Sequence, residues 1–356
     1  MRPARFWRIP AFLLTLAFAA PSVWAQAPAA PSTTPPEPPA QGEPAPAGNS
    51  SIRADVNLVD VLFTVVDRKN KMVSDLSQQN FSVFDDGKPQ EIRFFSQQTD
   101  LPLRVGLLLD TSNSIRQRLQ FEQEAAIDFL FNVIRRGKDE AVLMSIDDQP
   151  EVIQDFTGDM DLLRDAIQRQ RAGGATALYD AIYLTCAQLL QHAPLTNTSN
   201  DVRRVLVVIS DGEDTLSHHS RGEALEIAQR AGIVIYTISS NTDWITTDQE
   251  TKTSNLSDRK FEKGPGDQVL QQFAEDSGGR AFFPYHVDDL AQSFSQIGTE
   301  LRSQYSLAYT LPSGQLTDGK FHTIRVAVAE KGLQVHARKG YLATPVVGAI
   351  LPAPAK

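Results

Sequence analysis

The chain has 356 residues, with 34 Lys and Arg against 43 Asp and Glu and a formal charge of −9. That length allows two domains, or one domain with a satellite, and the acidic balance argues against nucleic acid or an anionic membrane surface as a partner. A single cysteine, Cys186, excludes an intrachain disulfide, so a packed core and any bound ion must supply the stability.

Residues 1–27 carry Arg2, Arg5 and Arg8, then an apolar stretch, then Ala25-Gln26-Ala27, the layout of a cleavable secretion signal. The apolar stretch is short for a membrane span, so none is expected in the mature chain. The chain is therefore expected to be exported, to the periplasm, the cell envelope or the extracellular space. Residues 28–50 are almost wholly Ala, Pro, Ser, Thr, Gln and Glu, a composition that buries too little apolar area to order itself, and they predict a flexible linker.

Between 51 and 100 the pattern turns to strands: VNLVDVLFTVVD, the turn RKNK, then NFSVFDDGKPQEIRFF with Asp86-Gly87 as a hairpin turn. Residues 303–343 repeat this behaviour in YSLAYTL, IRVAVA and LQVHA. Each flank alone is small for a core, and together they predict one β-sandwich interrupted by everything between them. Residues 344–356 read as a flexible tail.

The middle, 103–302, has continuous aliphatic strands separated by amphipathic helices, as a parallel sheet covered on both faces requires. RVGLLL leads to a helix from Arg118 to Arg136. AVLMSI and EVIQDF flank the turn DDQP as an antiparallel hairpin at the sheet edge. Helices follow at 161–170 and from Ala177, the second entered through Gly173-Gly174. RVLVVIS leads to DGEDT and a helix at 223–231. IVIYTIS leads to a long polar loop, helices at 268–276 and 287–302, and a short strand AFF between them. This order predicts a doubly wound α/β domain.

In such a sheet the parallel strands deliver their carboxyl ends to one edge, with a crevice where the winding reverses. Asp110 directly follows the first strand, and Asp211 directly follows VLVVIS, so neighbouring strands bring the two carboxylates into that crevice. Two acids so placed repel unless a cation or proton intervenes. The spacing Asp110, Ser112, Ser114 lets a turning loop aim alternate side chains at one point, and Thr176 adds a hydroxyl at a helix start. Oxygen-only donors favour a hard ion such as Mg²⁺, with Mn²⁺ or Ca²⁺ as competitors. Neutral hydroxyls leave the ion able to accept an acidic group from outside.

The sequence DTSNS matches the Asp-x-Ser-x-Ser element of the von Willebrand factor type A domain, as found in integrin inserted domains. Thr176 and Asp211 match the two downstream elements of its metal-ion-dependent adhesion site, and the resemblance covers Leu103 to Arg302. The flanks, with VFDDGKPQEIRFF and ARKGYLA, resemble those of exported bacterial proteins related to this domain. The resemblance implies that Ser112, Ser114 and Thr176 bind the ion directly, that Asp110 and Asp211 act mainly through water, and that a partner protein's Asp or Glu takes the open position.

Each element also has a plainer reading: a helix-capping turn at 110–114, an N-cap at Thr176, a tight turn at Asp211-Gly212. Asp214, His218 and His219 read as a polar loop, Asp147 and Asp148 as a hairpin turn, and Asp180 as a brace for the site or a solvated cap. The loop from Asn241 to Gly266 leaves the carboxyl end of a parallel strand and is expected to choose the partner through Trp244 and its neighbours. Two other functions compete. A phosphoaspartyl hydrolase normally carries a second Asp where this chain has Ser112, and no Ser/His/Asp set, zinc spacing or P-loop appears, so the expectation is non-enzymatic. A structural envelope protein stapled by its metal is the other.

Overall fold

The structure is a computed structural model that describes residues 58–98, 101–192, 202–241, 263–284, 287–312 and 315–343. The expected secretion signal, linker and tail, and Trp244 with most of its loop, lie outside the described residues.

The N-terminal flank forms β1 (Leu58–Val66), β2 (Phe81–Asp85), β3 (Lys88–Gln90) and β4 (Ile92–Gln98). Asp86 and Gly87, both at positive φ, turn β2 into β3. The middle of the chain runs β5 (Leu103–Asp110), α1 (Leu119–Val133), β6 (Glu140–Ile146), β7 (Val152–Thr157), α2 (Met160–Gln168), α3 (Leu178–His192) and β8 (Arg203–Ser210). It continues through α4 (Arg221–Arg230), β9 (Val234–Ser239), α5 (Pro265–Ser277), β10 (Ala281–Phe282) and α6 (Val287–Arg302). The C-terminal flank supplies β11 (Gln304–Thr310), β12 (Phe321–Val328), β13 (Gln334–Ala337) and β14 (Gly340–Leu342).

The central sheet has the order β10-β9-β8-β5-β6-β7. Every pairing in it is parallel except β6 with β7, the edge hairpin that the sequence predicts. β5 holds the middle because its run RVGLLL buries both faces. Val105, Leu107 and Leu109 pack with Phe129 and Leu130 of α1, Ile167 of α2 and Phe294 and Ile297 of α6. Leu108 packs on the other face with Ile182 and Leu189 of α3, Ala228 of α4 and Phe273 of α5. Each fully buried Leu or Ile contributes about 1.5–3 kcal/mol of transfer free energy. Gly106 sets the distance to α3, since a Cβ there would lie 2.6 Å from Thr185 Cγ2. Cys186 is buried in the α3 layer, where burial pushes its thiol pKa far up and makes it inert.

Helix ends follow local chemistry. α2 is capped by Asp159, whose carboxylate accepts from Asp161 N, and α4 starts in a Ser220–Glu223 capping box. α5 begins at Pro265, three residues ahead of the sequence expectation, because proline suits the first helical position. α1 ends at Val133 rather than Arg136: Ile134 turns to extended geometry, and Arg135 turns its guanidinium onto Asp139 instead of closing the helix.

The two flanks pair with each other. One sheet has the order β13-β1-β11-β4 and the second β14-β12-β2-β3. They share a core of Val59, Val61 and Phe63 with Phe81, Val83, Tyr305, Leu307, Tyr309, Ile324 and Val326. Phe63 stacks on its register partner Tyr305 at 5.4 Å between centroids and meets Phe81 edge-on at 5.0 Å. The α/β domain is thus inserted between strands of one sandwich, and Lys339 ties them by ion pairs to Asp276 at 2.9 Å and Glu275 at 3.3 Å. Among the described residues no helix is long and apolar enough to cross a membrane.

Candidate metal site

The winding reverses between β5 and β8, which are direct parallel neighbours, and their carboxyl ends deliver Asp110 and Ser210-Asp211 side by side. Asp110 is fully buried. Its Oδ1 accepts from Ser112 N at 2.8 Å and its Oδ2 accepts from Ser210 Oγ at 2.8 Å. Both oxygens are thereby committed to holding the two loops. Ser112 and Ser114 then bring their hydroxyl oxygens to 2.9 Å, and Ser114 Oγ donates to Asp211 Oδ2 at 3.0 Å. Asp211 Oδ1 accepts from Glu213 N at 3.0 Å. Four of the five residues expected from the sequence therefore form one hydrogen-bonded chain.

Thr176, the fifth, makes no hydrogen bond to these four residues and is linked to them only through neighbouring backbone. Asn113 N donates to Gly174 O at 3.3 Å and Gly173 N to Thr111 O at 2.7 Å, which stitches the glycine loop to the DTSNS turn. Thr176 O in turn accepts from Thr215 N at 2.8 Å and Leu216 N at 3.2 Å, just beyond Asp211. Asp147 and Asp148 do more than turn a hairpin: Asp147 O accepts from Ala177 N at 3.1 Å and the Asp148 carboxylate accepts from Ala175 N. The turn that reads as plain connection therefore seats Thr176.

Asp180, in the first turn of α3, holds the loop that follows Asp211. Its two oxygens accept from His218 N and His219 N at 2.9 and 2.8 Å and face both imidazole Nδ1 atoms. Burial works to raise its pKa, but these four bonds outweigh it and lower it to about 2. His218 and His219 are thus tied to Asp180 and do not join the oxygen cluster. Asp214 accepts from Tyr179 N at 3.2 Å, at the start of the same helix.

One further acid, absent from the sequence expectation, feels the charge of this cluster. Glu122 lies buried in the first turn of α1, with Oε2 making no hydrogen bond. Burial, then Asp110, and more weakly Asp211 push its pKa up to about 8. Asp110 is also raised, by burial first and by Asp211 in addition. The legible signal was a charge on the apolar stripe of Leu119, Ala126, Phe129 and Val133.

This donor set fits a hard divalent ion. All its donors are oxygens, the carboxylates repel one another, and the 2.9 Å between the two serine hydroxyls is the spacing of adjacent ligands about 2.0–2.1 Å from an octahedral ion. Ser112 is buried and Ser114 exposed, so the cluster opens to solvent on the Ser114 side. The long loop starts and ends here. Asn241 Nδ2 donates to Asp211 O at 2.8 Å, and at the far end Gly266 packs so closely on Asp211-Gly212 that a Cβ on it would lie 2.1 Å from Asp211 O.

Residues 105–213 match the family model of the von Willebrand factor type A domain. The mostly parallel sheet with helices on both faces is the fold of that domain. Among solved structures, a von Willebrand factor type A protein from Catenulispora acidiphila is 11% identical, covering 80% of this chain and 73% of its own, with a TM-score of 0.44. The von Willebrand factor domain of a type V pilus tip protein from Porphyromonas gingivalis is 13% identical over 56% of this chain and 94% of its own, with a TM-score of 0.42. BatB from Bacteroides thetaiotaomicron is 17% identical over 57% and 100%, with a TM-score of 0.41. No curated protein matches the chain in sequence.

Proposed function

We propose that the chain is an exported, non-enzymatic binding module. In this reading its type A domain holds Mg²⁺, or Mn²⁺ or Ca²⁺, on Ser112, Ser114 and Thr176, with Asp110 and Asp211 acting through water. The ion supplies a positive charge that takes an Asp or Glu carboxylate of a partner protein. The observation that carries this is the pairing of Asp110 and Asp211 on the two loops that bring the Ser112 and Ser114 hydroxyls to 2.9 Å, two neighbouring carboxylates whose repulsion a divalent cation relieves.

The protein's own residues position and shield. Asp110 locks the DTSNS turn to β8 through Ser210, Asp180 fixes the loop after Asp211, and exposed Ser114 marks the side from which a carboxylate arrives. The segment 242–262 is assigned the choice of partner, because Asn241 on one side of it and Gly266 just beyond the other both touch Asp211-Gly212. The leader at residues 1–27 supports export.

The test is capture from an envelope extract by the immobilised protein. Captured protein is expected in Mg²⁺, and it is expected to be lost with chelator, with Asp211→Ala and on deletion of 242–262. A metal that only staples the fold predicts that chelator and Asp211→Ala lower the melting temperature but leave capture unchanged, and that result overturns the proposal.

A further inference from the structure

A second cluster lies in the sandwich, at the end of β2. Asp85 closes that strand, Asp86 follows in the hairpin turn, and His322 stands on the neighbouring strand β12. One donor atom from each lies within 4.8 Å of the other two. His322 Nδ1 is 3.0 Å from Asp86 Oδ2 and 3.4 Å from Asp85 Oδ1. The His322 side chain is 8% exposed, and its Nδ1 is buried and makes no hydrogen bond: both contacts have ion-pair reach without hydrogen-bond direction.

The other polar atoms of the cluster are already committed. Asp85 Oδ2 accepts from Tyr309 Oη at 2.6 Å and Tyr341 Oη at 2.9 Å, which leaves Oδ1 turned to the imidazole. Asp86 Oδ1 accepts from Thr323 N at 2.9 Å and Thr323 Oγ1 at 3.1 Å, which leaves Oδ2. His322 Nε2 meets Asp318 Oδ1 at 3.2 Å, and the ring stacks on Tyr341 with centroids 5.3 Å apart. A carboxylate on the far nitrogen is the arrangement that fixes a metal-binding histidine with its other lone pair free. Each of the three residues thus has one atom held by the protein and one atom presented to a common point.

The spacing suits an ion. Donors about 2.0–2.1 Å from a tetrahedral Zn²⁺ stand about 3.3–3.4 Å apart, close to the 3.0 and 3.4 Å found. Charge points the same way, since three carboxylates, Asp85, Asp86 and Asp318, surround one imidazole. Asp86 is 46% exposed and gives the ion a way in. An imidazole nitrogen among two carboxylate oxygens selects a borderline transition ion, in contrast to the all-oxygen cluster of the type A domain. We propose that Asp85, Asp86 and His322 form a second metal site, for Zn²⁺ or a related divalent transition ion, with Asp318 as the positioning residue behind His322.

The competing occupant of the same space is a proton on Nδ1. Calorimetric titration with Zn²⁺ alone separates the two, using the full chain carrying Ser112→Ala and Asp211→Ala so that the type A site is disabled. One equivalent of Zn²⁺ is expected to bind. Adding His322→Gln or Asp86→Asn is expected to weaken it by at least tenfold, and Asp318→Asn by about tenfold. Asn tolerates the positive φ of position 86, so that variant tests the site even if His322→Gln fails to fold. Co²⁺ in the same protein is expected to give a visible absorption band that His322→Gln removes. Absence of a Zn²⁺ equivalent in the disabled background overturns the proposal, as does an equivalent whose affinity neither variant changes.

Discussion

Ser114 Oγ donates to Asp211 Oδ2 at 3.0 Å across 97 positions of sequence, joining the loop after β5 to the loop after β8. Asp211→Asn keeps an oxygen for Glu213 N, offers an amide N–H that Ser114 Oγ can accept, and removes one of the repelling charges. In chelator this variant is expected to melt no lower than wild type, since Asp110 and Glu122 lose an unfavourable neighbour. In Mg²⁺ at 100 times the dissociation constant wild type gains about 2.7 kcal/mol, and the variant gains far less. The order of melting temperatures therefore reverses when Mg²⁺ is added, as scanning fluorimetry reads directly. Equal gains in both proteins remove Asp211 from the site.

Glu122 makes the metal-free protein sensitive to alkali. Its folded pKa of about 8 lies above the ordinary 4.5, so between those values the folded chain holds a proton that the unfolded chain has released. Stability then falls as pH rises through that window. Glu122→Gln is expected to flatten the fall and to be the more stable protein at about pH 8 in chelator. The flattening is partial, because Asp110 is raised as well and contributes with the same sign. Urea midpoints across the window check this, and parallel curves for the two proteins refute it.

Gly212 sits at φ +80°, where a Cβ would lie 2.2 Å from Gly266 O. Gly212→Ala is expected to cost about 2–3 kcal/mol or more and to weaken Mg²⁺ binding, because Asp211 must move with it. Gly87→Ala is the control, since its φ is +76° but nothing lies within 4 Å of its Cβ. That change should cost only the left-handed penalty of about 1–2 kcal/mol and leave Mg²⁺ affinity alone.

Asp139 anchors the opposite end of the central sheet. Its oxygens accept from Leu103 N at 2.8 Å, Arg135 Nε at 2.8 Å and Arg302 Nη2 at 2.9 Å. Burial acts to raise its pKa, but these donors outweigh it and hold it at about 2. Its contribution is therefore present above the ordinary value of 3.8 and lost as pH falls through about 2. Asp139→Asn is expected to lose about 2–3 kcal/mol near neutrality, less than for a wholly buried pair because both arginines are partly exposed. Urea unfolding near neutrality and at about pH 2 should show the gap closing in acid.

The α/β half was legible because each of its signals is local. RVGLLL and RVLVVIS are too uniformly apolar for anything but central strands, DDQP sits between two short runs as an edge hairpin, and Asp110 and Asp211 follow their strands without a gap. The sandwich was legible only as a pattern. Alternation shows that each strand turns one face inward, yet β1 and β2 face the same core from different sheets, so the division of the flank between sheets leaves no mark in the sequence. The cluster of Asp85, Asp86 and His322 was equally hidden. Asp86-Gly87 reads as a turn, and only the pairing of β2 with β12 brings in a histidine from the other end of the chain.

The pairing of β4 with β11, register Gln98 to Gln304, also sets an order of events on the ribosome. At about 5–20 residues per second, roughly 10–40 seconds pass between synthesis of the first strand set and arrival of its partner. During that interval Val61 and Phe63 on β1 lack their neighbour β11, and Phe81 and Val83 on β2 lack β12, whereas the inserted domain can close its own core as soon as α6 emerges. The nascent chain must keep its earliest apolar strands waiting for its last, and that interval is where a holding chaperone would be needed most.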